Sequence, residues 1–202
     1  MLYAIKIFDQ ADSGALRNIH RKAHLDYLAQ FDDATLFAGP FTTDDGSQEL
    51  GSFRLLDLPD RKTAEEHVAG EPFIQEGVQQ GAVVHRYDNK ASFTWRDCPR
   101  TEGNVPMLVF ALDAPGMIEK RKELQPAHRQ FLMDRADITT MRGPMVDEDG
   151  TTPVGSAFMF DVPNMTAGRA MWAEEPNNKA GIYSSVEVYR WRFGRIFDRL
   201  KK

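Results

Sequence analysis

Two histidines occur in the same local setting, just over a hundred residues apart. The stretch RKAHLDYL, residues 21–28, contains His24, and QPAHRQFL, residues 125–132, contains His128. Each histidine follows an alanine, precedes a leucine by four residues and lies in a helical pattern of apolar side chains. Because an imidazole titrates near neutral pH, it can accept a proton and return it. Both histidines are therefore candidates for general acid–base catalysis.

Two glutamates are the candidate partners of these histidines. Glu71 and Glu175 each precede a proline, and a residue before proline is held extended, which restricts the direction of its side chain. A carboxylate bonded to one imidazole nitrogen fixes the tautomer of the ring. We therefore predict catalytic dyads built from His24, Glu71, His128 and Glu175. The structural alternatives are core histidines bonded to backbone carbonyls and glutamates of ordinary loops.

The recurrence of these residues belongs to an internal repeat. Aligning the chain with itself at an offset of 104 residues needs no gap and matches many turn-forming and charged positions. Among the matched pairs are Asp9 with Asp113, Arg17 with Arg121, Gly39-Pro40 with Gly143-Pro144, Asp45-Gly46 with Asp149-Gly150, and Glu71-Pro72 with Glu175-Pro176. We predict two copies of one unit, residues 1–95 and 105–202, joined by a polar linker at 96–104.

The repeat also weighs against a metal site. His20 lies four residues before His24, a spacing that suits two ligands on one helix face. However, Leu124 stands at the aligned position in the second copy, and no cysteine or further histidine cluster completes a site. We predict no metal. His67 and His85 also have no histidine at their aligned positions, and we interpret them as surface or strand residues.

The repeated Gly-Pro pairs are candidate substrate-binding residues. Gly39-Pro40 and Gly143-Pro144 each lie at the end of an apolar, strand-like stretch. A glycine in a strand can mark a place where a ligand or another backbone approaches closely. A plain strand end is the structural alternative.

Each copy must position these side chains on a small set of elements. Period-two alternation predicts strands and 3.6-residue spacing predicts helices, in the order LYAIKIFD (strand), SGALRNIHRKAHLDYLAQF (helix), TLFAGPF (strand), LGSFRLLDL (strand), DRKTAEEHVAG (helix), EPFIQEG (loop or single turn) and AVVHRY (strand). In the first helix we predict Ser13 as N-cap and a buried face of Leu16, Ile19, Ala23, Tyr27 and Phe31. In the second helix we predict Asp60 as N-cap and Gly70 as terminator.

The order βαββαβ is the ferredoxin-like arrangement, an antiparallel sheet with helices on one face. One such sheet leaves its other apolar face uncovered. We therefore predict an α+β fold in which two ferredoxin-like halves pack face to face as an intramolecular, pseudo-dimeric α+β barrel. The basic end of the chain, YRWRFGRIFDRLKK, is predicted to form a packed amphipathic helix with Phe193, Ile196, Phe197 and Leu200 on one side; a contact with a membrane or a polyanion is the alternative.

Composition limits the classes of partner. The 202 residues include 25 basic and 30 acidic side chains, and the net charge of −5 gives no reason to expect nucleic acid binding. No apolar run approaches the ~18 residues of a membrane span. The single cysteine, Cys98, excludes an internal disulfide, and the opening residues do not resemble a secretion signal. We expect a cytoplasmic protein that takes a small-molecule ligand without a cofactor and that can form oligomers of pseudo-dimers.

The repeated unit resembles the YciI-like (YCII-related) proteins. The resemblance rests on the opening strand, on AHLDYL in the first helix, on AGPF in the second strand and on EPFIQEG before the last strand. It implies a ferredoxin-like fold, and an active site with a helix histidine, at His24 and His128, near an acidic residue. The family motif Asp-Pro-Phe or Asp-Pro-Tyr corresponds here to Glu71-Pro72-Phe73 and Glu175-Pro176-Asn177. By this correspondence Phe73 is a further substrate-binding candidate, and loss of the aromatic residue puts the second site in more doubt.

Three functions follow from these residues and this resemblance. The first is a small cofactor-independent enzyme of lyase, dehydrohalogenase or isomerase type, acting on an activated organic substrate such as a hydroxylated or chlorinated aromatic compound. The family includes a dehydrochlorinase that acts on a chlorinated hydroxyhydroquinone. The second is a non-catalytic binding or accessory module, favoured by the changed acidic residue and the uneven copies. The third is a cofactor-free monooxygenase.

Overall fold

The computed structural model describes residues 1–199, in two compact units. The first unit contains residues 1–87 together with the segment that begins at Trp191, and the second contains residues 88–190. The segment that begins at Trp191, at the end of the second sequence repeat, is therefore part of the first compact unit.

The first unit has the predicted element order. Its strands and helices are β1 (Leu2–Asp9), α1 (Gly14–Leu28), β2 (Thr35–Thr42), β3 (Glu49–Asp57), α2 (Arg61–Ala69), α3 (Pro72–Gln75) and β4 (Gln79–Tyr87), with a 3-10 helix at Ala29–Ala34. The strands lie in the order β4-β1-β3-β2, and each neighbouring pair is antiparallel. This is the ferredoxin-like sheet that the sequence predicts.

The second unit repeats this order. Its elements are β5 (Val105–Asp113), α4 (Ile118–Met133), β6 (Thr139–Val146), β7 (Pro153–Val162), α5 (Met165–Ala173), α6 (Pro176–Lys179) and β8 (Tyr183–Trp191). The strand order is β8-β5-β7-β6, again antiparallel. The predicted α+β class with two ferredoxin-like repeats is confirmed.

Each unit has an apolar core under its helices. In the first unit, alternate residues of β1 (Tyr3, Ile5 and Ile7) pack with Leu56 and Ala64. In the second, the core contains Met107, Val109, Phe158, Phe160 and Trp172. Burial of a large apolar side chain contributes roughly 1.5–3 kcal/mol, so these clusters hold the helices that carry the histidines against their sheets.

The ends of the second helix follow the predicted capping. Asp60 is the N-cap of α2, and its carboxylate accepts a hydrogen bond from the backbone N–H of Thr63 at 2.8 Å. Gly70 is the C-cap. Ser13 occupies the N-cap position of α1 as predicted, but its side chain makes no capping hydrogen bond.

The predicted buried face of α1 is wrong at Leu16 and Ile19, although Phe31, on the 3-10 helix that follows, packs against the core of the first unit. Leu16 is 41% exposed and Ile19 is 70% exposed, whereas Arg17, His24 and Leu28 are buried. On a helical wheel this face lies about 100° from the predicted one. The rotation has a polar cause, because the Arg17 guanidinium bonds both carboxylate oxygens of Asp9, at 2.6 and 2.7 Å. A buried charge is tolerated when it is paired in this way.

The basic end of the chain extends β8 before it turns. Gly194 donates a backbone hydrogen bond to Ala38, and the Trp191 indole Nε1 donates to the Gly39 carbonyl at 3.1 Å. A 3-10 helix then spans Arg195–Arg199, with Ile196 and Phe197 buried. The predicted packing of these two side chains is present on a shorter element, and the fourth predicted apolar residue, Leu200, lies outside the described residues. Within that part of the chain, no helix is long and apolar enough to cross a membrane.

Candidate active site

The first dyad is formed within the first repeat. His24, on α1, has its Nδ1 atom 2.8 Å from the Oε1 atom of Glu71. Glu71 is the N-cap of the single-turn helix α3, and the same Oε1 accepts the backbone N–H of Phe73 at 3.1 Å. The Glu-Pro sequence thus ends the preceding loop, starts a helical turn and fixes the carboxylate against the imidazole.

The second dyad uses the same local device within the second repeat. The Nδ1 atom of His128, on α4, lies 2.7 Å from Oε1 of Glu175. Glu175 caps α6 and accepts the backbone N–H groups of Asn177 and Asn178, at 3.1 and 2.8 Å. Both glutamates are fully buried. The four predicted catalytic side chains therefore meet as two intra-repeat pairs.

This geometry sets the chemistry that each imidazole can perform. A carboxylate at Nδ1 holds the proton on that nitrogen and leaves the lone pair on Nε2. The same carboxylate stabilises the imidazolium after Nε2 has accepted a proton, as in hydrolase triads. Each dyad is therefore arranged as a general base that can return its proton as an acid.

The two dyads differ because of one strand position. Arg54, on β3, donates to Oε2 of Glu71 and, from Nη1, to Nε2 of His67 at 2.9 Å. At the aligned position of β7 the second repeat has Phe158, whose ring centre lies 6.0 Å from that of His128 in an edge-on orientation. The first glutamate is bonded by a buried arginine, and the second is not.

The sequence prediction missed Arg54 and misplaced His67. His67 is not a surface residue, because its exposed fraction is 2%, and it accepts a hydrogen bond from a guanidinium that is 1% exposed. The signal for Arg54 was its place between Phe53 and Leu55 in the strand LGSFRLLDL, where an inward-facing charge requires a buried partner.

Electrostatics at the first dyad follow from burial and from Arg54. Burial raises the pKa of Glu71, but the Arg54 charge and the hydrogen bond from His24 outweigh it and hold that pKa well below its usual value. Burial is the main cause that lowers the pKa of His24, against the opposing effect of Glu71. Burial and then the Arg54 charge lower the pKa of His67 to about 3. At neutral pH the first site therefore contains an ionised glutamate and two neutral histidines.

The cavity beside His24 is too small for a substrate. Its volume is about 30 Å³, which leaves space for roughly two water molecules. Its walls include the predicted residues Gly39 and Pro40, with Arg54 and the segment from Arg192 to Ile196. The other predicted binding residue, Phe73, is fully buried and stacks on the His24 ring at 4.0 Å between ring centres.

The close approach predicted at Gly39 is made by the chain's own backbone. A Cβ atom at this position would lie 2.0 Å from the Arg192 carbonyl oxygen and 2.9 Å from the Trp191 ring. The glycine therefore allows the segment that follows β8 to lie against β2.

The cavity beside His128 is much larger. Its volume is about 430 Å³, within the roughly 300–1,000 Å³ of small-molecule sites. The predicted residues His128, Gly143 and Pro144 line it, and Glu175 lies behind the imidazole. Asn177, where the family motif has an aromatic residue, also forms part of the wall. The sequence put the second site in doubt because Asn177 replaces the aromatic residue of the motif, yet the cavity beside this site is the larger of the two.

A second repeated pair also reaches both cavities and was not predicted as functional. Arg17 lines the first cavity and Arg121 the second. Arg121 bonds Asp113 at 2.7 Å, as Arg17 bonds Asp9, and donates to the Ser156 hydroxyl at 2.6 Å. The exact repetition of both members of this pair in the self-alignment was the available signal.

Residues 1–199 contain no group of three or more histidine, cysteine, aspartate or glutamate side chains placed to hold a metal ion. The Nε2 atom of His20 lies 3.9 Å from Oε2 of Glu76.

This chain is similar to several known proteins in sequence or in fold. Protein YciI of Escherichia coli is 32% identical over 90 residues, which are 40% of this chain and 90% of that protein. A mutant chlorite dismutase of Candidatus Nitrospira defluvii has a TM-score of 0.64 at 11% identity, over 99% of this chain and 94% of the other, and shares the fold alone. The 5-chloro-2-hydroxyhydroquinone dehydrochlorinase of Burkholderia phenoliruptrix, in complex with 2,5-dihydroxybenzoquinone, is 26% identical over 44% of this chain and 94% of its own. Its TM-score of 0.41 is too low to support an inference.

The two repeats also match one family profile separately. The YCII-related domain covers residues 1–87 and again residues 105–192. These two matches take in both histidines, both capping glutamates and both Gly-Pro pairs. The chain thus belongs to the YCII-related family and carries two copies of its domain.

Proposed function

We propose that this protein is a small enzyme that transfers protons with a histidine–glutamate dyad, and that its working site is the one formed by His128 and Glu175. One observation carries the proposal. The His128 imidazole bonds a fully buried carboxylate through Nδ1 and also lines a cavity large enough for a small organic molecule.

The reaction starts with the Nε2 atom of His128. This atom takes a proton from an acidic C–H or O–H of an activated ring or enol, and Glu175 stabilises the imidazolium that forms. If the imidazolium returns the proton to another atom of the substrate, the reaction is an isomerisation. If instead a halide leaves the adjacent carbon with the bonding electron pair while a double bond forms, the reaction is a dehydrohalogenation that releases a proton and a halide. Positioned acid–base groups contribute typically 10²–10⁴-fold to the rate.

The cavity walls suit such a substrate. Leu132, Pro144 and Phe158 provide apolar surface for a ring, and Arg121 brings a positive charge that is held in place by Asp113. A fixed positive charge stabilises the negative charge that develops on a substrate oxygen when a neighbouring C–H loses its proton.

The first repeat favours a second role, that of a non-catalytic module. Its dyad faces a cavity of about 30 Å³ and its glutamate is bonded to Arg54. We propose that His24 and Glu71 act as a structural pair in this chain. The histidine–glutamate geometry is thus kept in both repeats, and the larger of the two cavities that the dyad histidines line is the one in the second.

The test compares the two histidines as matched variants. The probes are phenylpyruvate, followed by the loss of enol absorbance, and chlorohydroquinone, followed by chloride release. His128→Gln should lower turnover by roughly 10²-fold or more, whereas His24→Gln should stay within about threefold of the wild type. Equal rates in the wild type and His128→Gln would refute the proposal. Loss of turnover in His24→Gln alone would assign the chemistry to the first repeat.

A further inference from the structure

The cavity at His128 carries positive charge that the neighbouring carboxylates neutralise only in part. From this feature, and resting on the site proposed above, we infer that its ligand is a small organic anion with an apolar body. Ligands of this class have a planar oxyanion, such as a carboxylate or an enolate, attached to a ring or a similar flat group.

Four cationic side chains line the cavity, namely Lys90, Arg121, Arg129 and Arg142. Two of them have carboxylate partners, since Arg121 bonds Asp113 and Lys90 pairs with Asp88 at 2.5 Å. Within residues 1–199 neither Arg129 nor Arg142 takes part in an ion pair, and no acidic side chain is part of the cavity wall. Two guanidinium groups are therefore available to a ligand.

The first repeat shows that the fold does not require this charge. At the positions aligned with Arg129 and Arg142 it has Leu25 and Ala38. These residues line the first cavity in the same way that the two arginines line the second. A ferredoxin-like half therefore forms without cations at these places, and their presence in the second half calls for a reason connected with the cavity.

The carboxylate that pairs with the arginines of the first cavity has no counterpart in the second. Glu49 is an ion-pair partner of Arg17, Arg21 and Arg192 in the first unit. Its aligned position holds Pro153, which lines the second cavity. The second repeat has thus gained two unpaired cations and lost an anion. Such a cavity attracts an anion and orients it by bidentate hydrogen bonds from arginine.

The remaining wall explains why the anion should be organic. Leu132, Met133, Phe158 and the two prolines, Pro144 and Pro153, give the cavity a large apolar surface beside its cations. A phosphate or sulfate ion would leave this surface in contact with water. A flat organic anion would cover it and gain roughly 25 cal/mol for each Å² that is buried.

The experiment separates charge from shape by using benzoate and benzamide, which have nearly the same size. Calorimetric titration should show tighter binding of benzoate than of benzamide to the wild type. Arg129→Leu and Arg142→Ala introduce the residues of the first repeat at these positions. Each should weaken the binding of benzoate by roughly tenfold or more, because a guanidinium donates charge-assisted hydrogen bonds to a carboxylate, and should change the binding of benzamide less than about twofold.

Arg21→Gln provides the matched control. It removes an arginine from the first cavity and leaves glutamine, which is the residue at the aligned position, Gln125. It should leave benzoate binding unchanged. If either replacement fails to fold, Arg129→Gln and Arg142→Gln serve instead. Any of four results would overturn the inference. They are the absence of benzoate binding, equal affinity for benzoate and benzamide, tighter binding of inorganic phosphate than of benzoate, and equal effects of the control and the cavity variants.

The readout also distinguishes this inference from the proposed catalysis. His128→Gln should retain the preference for benzoate, because the arginines remain in place. In one outcome the protein prefers benzoate through Arg129 and Arg142 and yet turns over neither phenylpyruvate nor chlorohydroquinone. That result would support the anion site and refute the proposed enzyme. Turnover that depends on His128, without a preference for benzoate over benzamide, would support the proposed enzyme and refute the anion site.

Discussion

Arg54 and Phe158 occupy equivalent positions in the two repeats, and the difference between them makes the two histidine–glutamate pairs chemically distinct. Arg54 donates to Glu71 and to His67, whereas the ring of Phe158 forms a T-shaped contact with the ring of His128. The first pair is part of a buried ionic network, and the second lies beside an apolar cavity wall.

Replacing Arg54 with the phenylalanine of the second repeat should destabilise the protein. Arg54→Phe leaves the buried Glu71 carboxylate without its cation, and removal of one partner of a buried ion pair costs about 3–5 kcal/mol. The free energy of unfolding can be measured in urea. Arg61→Ala is the control, because Arg61 pairs with Glu65 on the surface and exposed pairs contribute about 0–1 kcal/mol. Similar losses in the two variants would contradict a stabilising role for the network.

The reverse replacement should impair catalysis. Phe158→Arg places a guanidinium where Arg54 lies in the first repeat, and we expect it to bond Glu175 and weaken the support that this carboxylate gives to the His128 imidazolium. Turnover of phenylpyruvate should fall by roughly tenfold or more. Phe158→Leu, which keeps an apolar wall, should retain more activity than Phe158→Arg. The opposite order of the two variants would count against the dyad.

The stability of the first unit should fall in acid because of His67. Its pKa is lowered from 6.5 to about 3 in the folded protein, first by burial and then by the Arg54 charge. Below pH 6.5 the unfolded chain binds a proton that the folded chain does not, so stability decreases from pH 6.5 down to about 3, by up to roughly 1.4 kcal/mol per pH unit.

His67→Met, which introduces the residue of the second repeat, tests this pH dependence. Chemical unfolding should be measured at several pH values between 6.5 and 4, the range in which the His67 contribution applies. The variant should have lower stability at neutral pH, because Arg54 loses an acceptor, but a shallower decline toward acid. An unchanged slope would show that His67 is not the titrating group.

Gly39 should tolerate no side chain. In Gly39→Ala the added Cβ atom would collide with the Arg192 carbonyl oxygen at 2.0 Å, so the segment after β8 would have to move away from β2. We expect a loss of more than about 2 kcal/mol in the free energy of unfolding, the size of a severe steric defect. Gly14→Ala is the matched control, because no atom beyond the neighbouring backbone of its own helix lies within 4 Å of the added Cβ, and alanine favours the helix. Equal stabilities of the two variants would refute the steric argument.

Much of the site could be predicted from the sequence because the chain contains two copies of it. The shared spacing of His24 and His128, and of Glu71 and Glu175, pointed to a common geometry, and the restriction of a residue before proline placed each carboxylate. The buried face of α1 could not be predicted from apolar periodicity. Arg17 is buried through its ion pair with Asp9, and Leu16 and Ile19 are exposed.

The sequence by itself determined the repeat, the βαββαβ order and the four side chains of the dyads, since these depend on local spacing and on backbone restrictions. Only the tertiary structure decided which carboxylate meets which imidazole, that Arg54 bonds the first pair, and that the larger cavity lies beside His128. Cavity volume and ion pairing depend on side chains from separate elements, such as β3, α2 and the segment after β8, which are brought together by packing and whose proximity is not encoded in any single stretch.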